Sequence, residues 1–149
     1  MPEQETIERA KEDAREGKSP STQAGEFVRE EIHHVREGKH GARNTKQAVA
    51  IGLSKARRAG VKPGTPKSPG STASTRRKAK QDERAAKHPH KPSRKRSRAT
   101  EGALKREGRS AASKKALSRQ AHAAAKSRGR KQRVTAAKKA VRTRKSRAR

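Results

Sequence analysis

Residues 19–60 read SPSTQAGEFVREEIHHVREGKHGARNTKQAVAIGLSKARRAG, and this stretch decides the fold class. Ser19 offers a capping hydroxyl, and Pro20 falls in the first turn, where its missing N–H costs nothing. Ala24, Val28, Ile32 and Val35 then recur at helical spacing with Phe27 beside them, up to a stop at Gly38. Asn44 starts another helix, with Gln47 three residues on, a variant of the capping box. In that helix Val49, Leu53 and Ala56 share a face and Ile51 lies next to it. Arg57 and Arg58 occupy the last turn, where cations suit the helix dipole, and Gly60 closes it. Upstream, Thr6 to Glu16 are good helix formers, with Thr6 as cap, Gly17 as stop, and Ile7, Ala10 and Ala14 as thin apolar backing. The expectation is a mainly α protein whose N-terminal module, residues 1–60, holds two or three short helices.

Outward from this stretch the composition changes. The chain has 149 residues and a formal charge of +29. Residues 1–60 hold 12 Lys+Arg against 10 Asp+Glu, whereas residues 61–149 hold 31 against 4, so the downstream part carries nearly all of the charge. Val, Ile, Leu, Met and Phe number 14 in all, nine of them in the first 60 residues. That is too little apolar area to offset an ordering entropy of about 1–2 kcal/mol per residue over one compact domain of this length. Val61 to Thr75 is dense in Pro, Gly, Ser and Thr and reads as a linker, 61–75. Within it Thr65-Pro66-Lys67-Ser68-Pro69 is either a plain Pro linker or a turn like those of linker-histone tails. Residues 76–149 read as a long, largely disordered basic tail with helix-prone Ala/Lys/Arg segments at 110–128 and 134–145. A short punctuation recurs as Arg15-Glu16-Gly17-Lys18, Arg36-Glu37-Gly38-Lys39 and Arg106-Glu107-Gly108-Arg109. Its spacing is irregular, which fits a repeated helix-stop-helix unit better than a solenoid.

Several function classes drop out. There is no Cys, so no disulfide scaffold, and no run approaches the roughly 18 apolar residues of a membrane span. The acidic start Met1-Pro2-Glu3-Gln4-Glu5 is unlike a secretory signal, so a cytoplasmic, nucleoid-associated protein that does not bind membranes is expected. No Ser, Thr, Lys or carboxylate sits in a phosphate loop or nucleophile elbow, so no enzyme, catalytic residue or cofactor is expected. His33 and His34 point about 100° apart on a helix. His34 could meet His40 if the turn folds back, but two imidazoles with no Cys or placed carboxylate make a poor metal site. Solvated surface histidines, and a loop at His88-Pro89-His90, are the expectation, and no metal.

A polycation calls for a polyanion. Each Lys or Arg near a phosphate displaces condensed cations, and the repulsion that frays a basic helix in water becomes attraction on DNA. The expected nucleic-acid-binding residues in the module are Arg43, Lys46, Lys55, Arg57 and Arg58. The tail adds Arg76, Arg77, Lys78, Arg94, Lys95, Arg96, Arg98, Lys105, Arg106, Arg109, Lys114, Lys115, Arg119, Lys126 and Arg128. At its end come Arg130, Lys131, Arg133, Lys138, Lys139, Arg142, Arg144, Lys145, Arg147 and Arg149. Base readout of single-stranded RNA generally needs stacked aromatics, and Phe27 is the lone aromatic, better placed for packing. Duplex DNA is therefore favoured over RNA as partner.

The run Glu26 to Gly60, most closely Lys39 to Gly60, resembles a small bacterial family of uncharacterised domains often labelled DNA-binding or plasmid-stabilisation-like. Such domains commonly carry a Lys/Arg/Ala-rich tail similar to linker-histone-like proteins, and Leu104 to Gly129 resembles those tails. The resemblance implies DNA as partner and no catalytic residues. The expected function is thus non-sequence-specific, histone-like DNA binding by phosphate neutralisation. The alternatives are an RNA-binding or ribosome-associated protein, and a partner-binding regulator tethered to nucleic acid. Nine large apolar residues make a marginal core for residues 1–60, and self-association of the module would bury more of it.

Overall fold

The structure, a computed structural model, describes residues 2–64, 72–88, 91 and 93–147. Among these it is mainly helical, with no strand. The order is α1 (Gln4–Arg15), α2 (Pro20–Glu37), α3 (Thr45–Arg58), α4 (Ala73–Lys87), α5 (Arg94–Arg106), a 3-10 turn (Ser110–Ala112), α6 (Lys114–Ser127) and α7 (Gly129–Arg147). The turn at Thr65–Pro69 and residues 89–90 of the histidine loop lie outside the described residues.

Local chemistry explains most helix ends. Asn44 caps α3 by accepting from the Gln47 N–H at 2.9 Å, while the Gln47 side chain accepts from the Arg43 N–H at 2.9 Å. Two donors at the N-terminus of α3 are satisfied this way. Gly38 ends α2 at φ +80°, its N–H donating to Val35 O and that of Lys39 to His34 O, the paired bonds that glycine's left-handed conformation permits. Ser19 precedes α2 without a side-chain cap; its hydroxyl bonds those of Ser21 and Thr22 instead. Thr6 is not a cap either. α1 starts two residues earlier, and Thr6 is fully buried inside it.

α1 packs on α2, α2 on α3, and α3 on α4. The buried face of α3 differs from the expected Val49/Leu53 stripe: Thr45, Ala48, Gly52 and Ala56 face inward, while Val49, Ile51 and Leu53 are half-buried. Small residues win because α3 lies hard against the backbone of α2. A Cβ on Gly52 would stand 2.6 Å from Val28 Cα and 2.9 Å from Phe27 O. Two apolar centres result. Ala10, Ala24, Phe27 and Ala56 join α1, α2 and α3, edged by Ile7, Leu53 and Val61. Ile32, Val35, Ala42 and Ala48 form the other together with Ala111 and Ala112, edged by Val28 and Leu117.

That second centre corrects the expectation of a long disordered tail. Residues 73–75, assigned to the linker, begin α4, which Thr72 caps through the Thr75 N–H. The segments 73–87, 94–106, 114–127 and 129–147 are helices. Ala, Lys and Arg are strong helix formers, and Ser113 caps α6 by accepting from the Ala116 N–H. Residues 104–112 also dock on the α2–α3 corner. The Gly41 N–H donates to Leu104 O at 2.9 Å and that of Ala42 to Gly108 O at 3.1 Å. Thr45 Oγ1 donates to Ala111 O at 2.6 Å, and Arg36 Nε to Ala112 O at 2.9 Å. The third copy of the Arg-Glu-Gly punctuation therefore lies against the 41–42 turn, and the alanines just after it, Ala111 and Ala112, join the core of the first 60 residues.

Candidate functional site

Two features have the chemistry to act on something outside the chain: the basic helical surface and a buried polar cluster at the end of α2.

The basic surface follows from where the cations stand. Arg43, Lys46 and Arg58 are exposed, as are the candidate Lys and Arg residues of α4, α5 and α6, together with Arg109 and Arg128. On α7, Arg130, Lys131, Arg133, Lys138, Lys139, Arg142, Arg144 and Lys145 are exposed as well. The helix carries no Asp or Glu, and its apolar residues Val134 and Val141 are 45% and 51% exposed, so it presents cations on every side. Arg149 and the side chain of Arg147 lie outside the described residues. A groove of about 710 Å³ runs between the end of α3 and α4, where Lys62, Lys80, Arg84 and Lys87 face a single carboxylate, Glu83.

Two sequence candidates turn inward instead. Lys55 puts its ammonium 2.8 Å from Glu31 Oε2 and 3.0 Å from Glu30 Oε1. Burial pushes its pKa down, but the hydrogen bond and charge of Glu31, then of Glu30, more than reverse this and leave it raised. Arg57 is buried too, with Nη2 donating to Gly64 O at 3.4 Å. Both side chains are thus held within the fold, on different sides of α3, rather than on its exposed surface.

The polar cluster gathers Glu3, Glu30, Glu31, His34, Lys39, His40 and Lys55. Phe27, Glu30, Glu31 and His34 stand at helical spacing, so the face that buries Phe27 also buries the two carboxylates. Glu31 is fully buried and Glu30 nearly so. The Gly38 turn folds His40 back over α2, placing Nε2 3.2 Å from Glu31 Oε1 and the ring edge-on to His34, with centroids 6.1 Å apart. His34 is not a solvated surface side chain, being only 12% exposed; its Nε2 donates to Glu3 Oε1 at 2.8 Å. His33 is exposed, as expected. Hydrogen bonds from His34 and Lys39 hold the Glu3 carboxyl down at about 2. Burial pushes Glu30 up, yet bonds from the Glu3 N–H, Lys55 and Thr6 reverse this and leave it lowered. The carboxylates were legible only as the helix-spaced series Phe27, Glu30, Glu31, His34; nothing local showed that Lys55 would reach them from α3.

No family model, curated protein or solved structure matches the chain. No helix among the described residues is long and apolar enough to cross a membrane.

Proposed function

We propose that this protein binds duplex DNA without base specificity, its basic helices neutralising phosphates while the α1–α3 module and the docked 104–112 segment hold them together. The observation that supports this reading best is α7. It is 19 residues long, hence about 28 Å, and carries nine Lys and Arg and no carboxylate. A helix about 10–12 Å across fits a major groove about 12 Å wide, with phosphates on both walls. Cations on every side then meet both strands, whereas base readout needs several side chains aimed at one set of base edges. The helix at Asn44 is a poor reader, since Gln47, its best candidate for adenine, is already bonded within its own cap. The resemblance of Lys39–Gly60 to DNA-binding-labelled bacterial domains points the same way, and a nucleoid-associated role follows from this reading. Binding of the full chain to unrelated duplexes of equal length, and to structured RNA, across a salt series tests the proposal. Affinities for the duplexes within roughly tenfold of one another, tighter than for the RNA, and a steep loss between about 50 and 200 mM salt are expected. A thousandfold preference for one sequence refutes the non-specific reading, and tighter binding to RNA refutes the choice of DNA.

A further inference from the structure

We propose that Glu31, His34 and His40 form a binding site for a divalent transition-metal ion, zinc being the ion that the donor set fits best. One carboxylate oxygen and one nitrogen from each imidazole lie within 4.8 Å of one another. With bonds of roughly 2.0–2.1 Å, two donors of a tetrahedral zinc stand about 3.3 Å apart. The 3.2 Å between His40 Nε2 and Glu31 Oε1 is already such an edge, and His34 completes the set from within 4.8 Å.

A second observation points to a ligand independently. Glu31 is wholly buried at the centre of the cluster, and while Lys55 lies against its Oε2, its Oε1 has no partner in hydrogen-bonding geometry. A buried acceptor without a donor is costly, and a buried carboxylate more so. Lys55 supplies charge to Oε2 at 2.8 Å, which leaves Oε1 facing His40 Nε2 at 3.2 Å. The rings are also held by their far sides, as metal-bound imidazoles are. His40 Nδ1 donates to Gly41 O at 3.1 Å, leaving Nε2 to face Glu31. His34 Nε2 donates to Glu3 Oε1, leaving Nδ1, 3.9 Å from Glu30 Oε1, as the nitrogen open to an ion. With neutral imidazoles, Glu3, Glu30 and Glu31 outweigh Lys39 and Lys55 by one negative charge, which favours a dication even in a chain of charge +29. Nitrogen and oxygen donors without thiolate suit zinc and its neighbours better than copper(I), and three ligands leave one position for water. The ion would tie the end of α2 to the 38–42 turn on which residues 104–108 rest. It is independent of the nucleic-acid reading.

The test is zinc titration of the untagged full chain, freed of nucleic acid and metal, with Co²⁺ as a spectroscopic substitute. One zinc per chain, a melting temperature raised by zinc, and the intense visible bands of tetrahedral Co²⁺ are expected. His40→Gln and His34→Gln should each weaken zinc binding more than a hundredfold and abolish the cobalt bands. Glu3→Gln, which removes the charge behind the His34 ring and its pair with Lys39, should cost about 10–100-fold. His33→Gln and His122→Gln should change nothing. Glu31→Gln is judged only if its circular dichroism matches the parent, and the histidine variants decide the matter otherwise. Absence of one-to-one uptake at micromolar zinc, or uptake that survives both His34→Gln and His40→Gln, overturns the site.

Discussion

Replacing Gly41 by alanine isolates the docking of residues 104–112 from every other contribution to stability. Gly41 does not occupy the left-handed region, so alanine meets no backbone penalty there. The effect is steric alone. The added Cβ would stand 1.8 Å from Glu107 O and 2.3 Å from Glu107 C, where ordinary contact begins at 3.4 Å. These are backbone atoms and cannot swing aside, so the 104–108 segment must retreat by more than an ångström. That breaks the bonds from Gly41 N–H to Leu104 O and from Ala42 N–H to Gly108 O. At about 0.5–1.5 kcal/mol each, their loss costs roughly 1–3 kcal/mol. The cost grows if Ala111 and Ala112 lift out as well, by about 0.8 kcal/mol for each methyl exposed. In a chain of this size 1 kcal/mol moves the melting temperature by roughly 2–4 °C. Gly25→Ala is the matched control: it lies on the exposed side of α2 with nothing within 4 Å of the new methyl, and should stabilise by about 0.5–1 kcal/mol. Thermal unfolding followed by circular dichroism measures both, and amide exchange at residues 41 and 42 reports the docking itself. If Gly41→Ala melts with the parent and both amides stay protected, the 104–112 segment does not rest on this corner and the reasoning fails.

Gly52→Ala should cost about 1–3 kcal/mol by forcing α3 away from the α2 backbone, read as a lowered urea midpoint with unchanged slope. Lys55→Ala leaves the Glu30 and Glu31 carboxylates buried without their cation and should destabilise by roughly 3–5 kcal/mol in the same assay; a change below 1 kcal/mol would show that the pair is not buried as described. Thr45→Val keeps the shape but strands the Ala111 carbonyl, for an expected loss of about 1–3 kcal/mol and faster amide exchange over residues 110–112, with exchange in α1 unaltered.

The helices were largely legible in the sequence because their signals are local. The Asn44–Gln47 cap, the glycine stops at 17, 38 and 60 and the Ala24–Phe27–Ile32–Val35 face depend on residues within a turn or two of one another. Composition likewise placed the positive charge after residue 60, and folding does not change a count. Disorder in the tail was a wrong inference from the same arithmetic. A low number of large apolar residues argues against a separate core, but not against helices of Ala, Lys and Arg, two of whose neighbouring alanines, Ala111 and Ala112, complete a core built elsewhere. Only the tertiary structure could decide that, because the partner of Gly41 lies more than sixty residues downstream and is recognised by backbone atoms, which carry no side-chain signature. The same holds for the polar cluster. Whether Glu31 is a solvated surface charge or a buried one that needs a cation depends on which flank of α3 faces α2, and the closeness of the helices at Gly52 settles it.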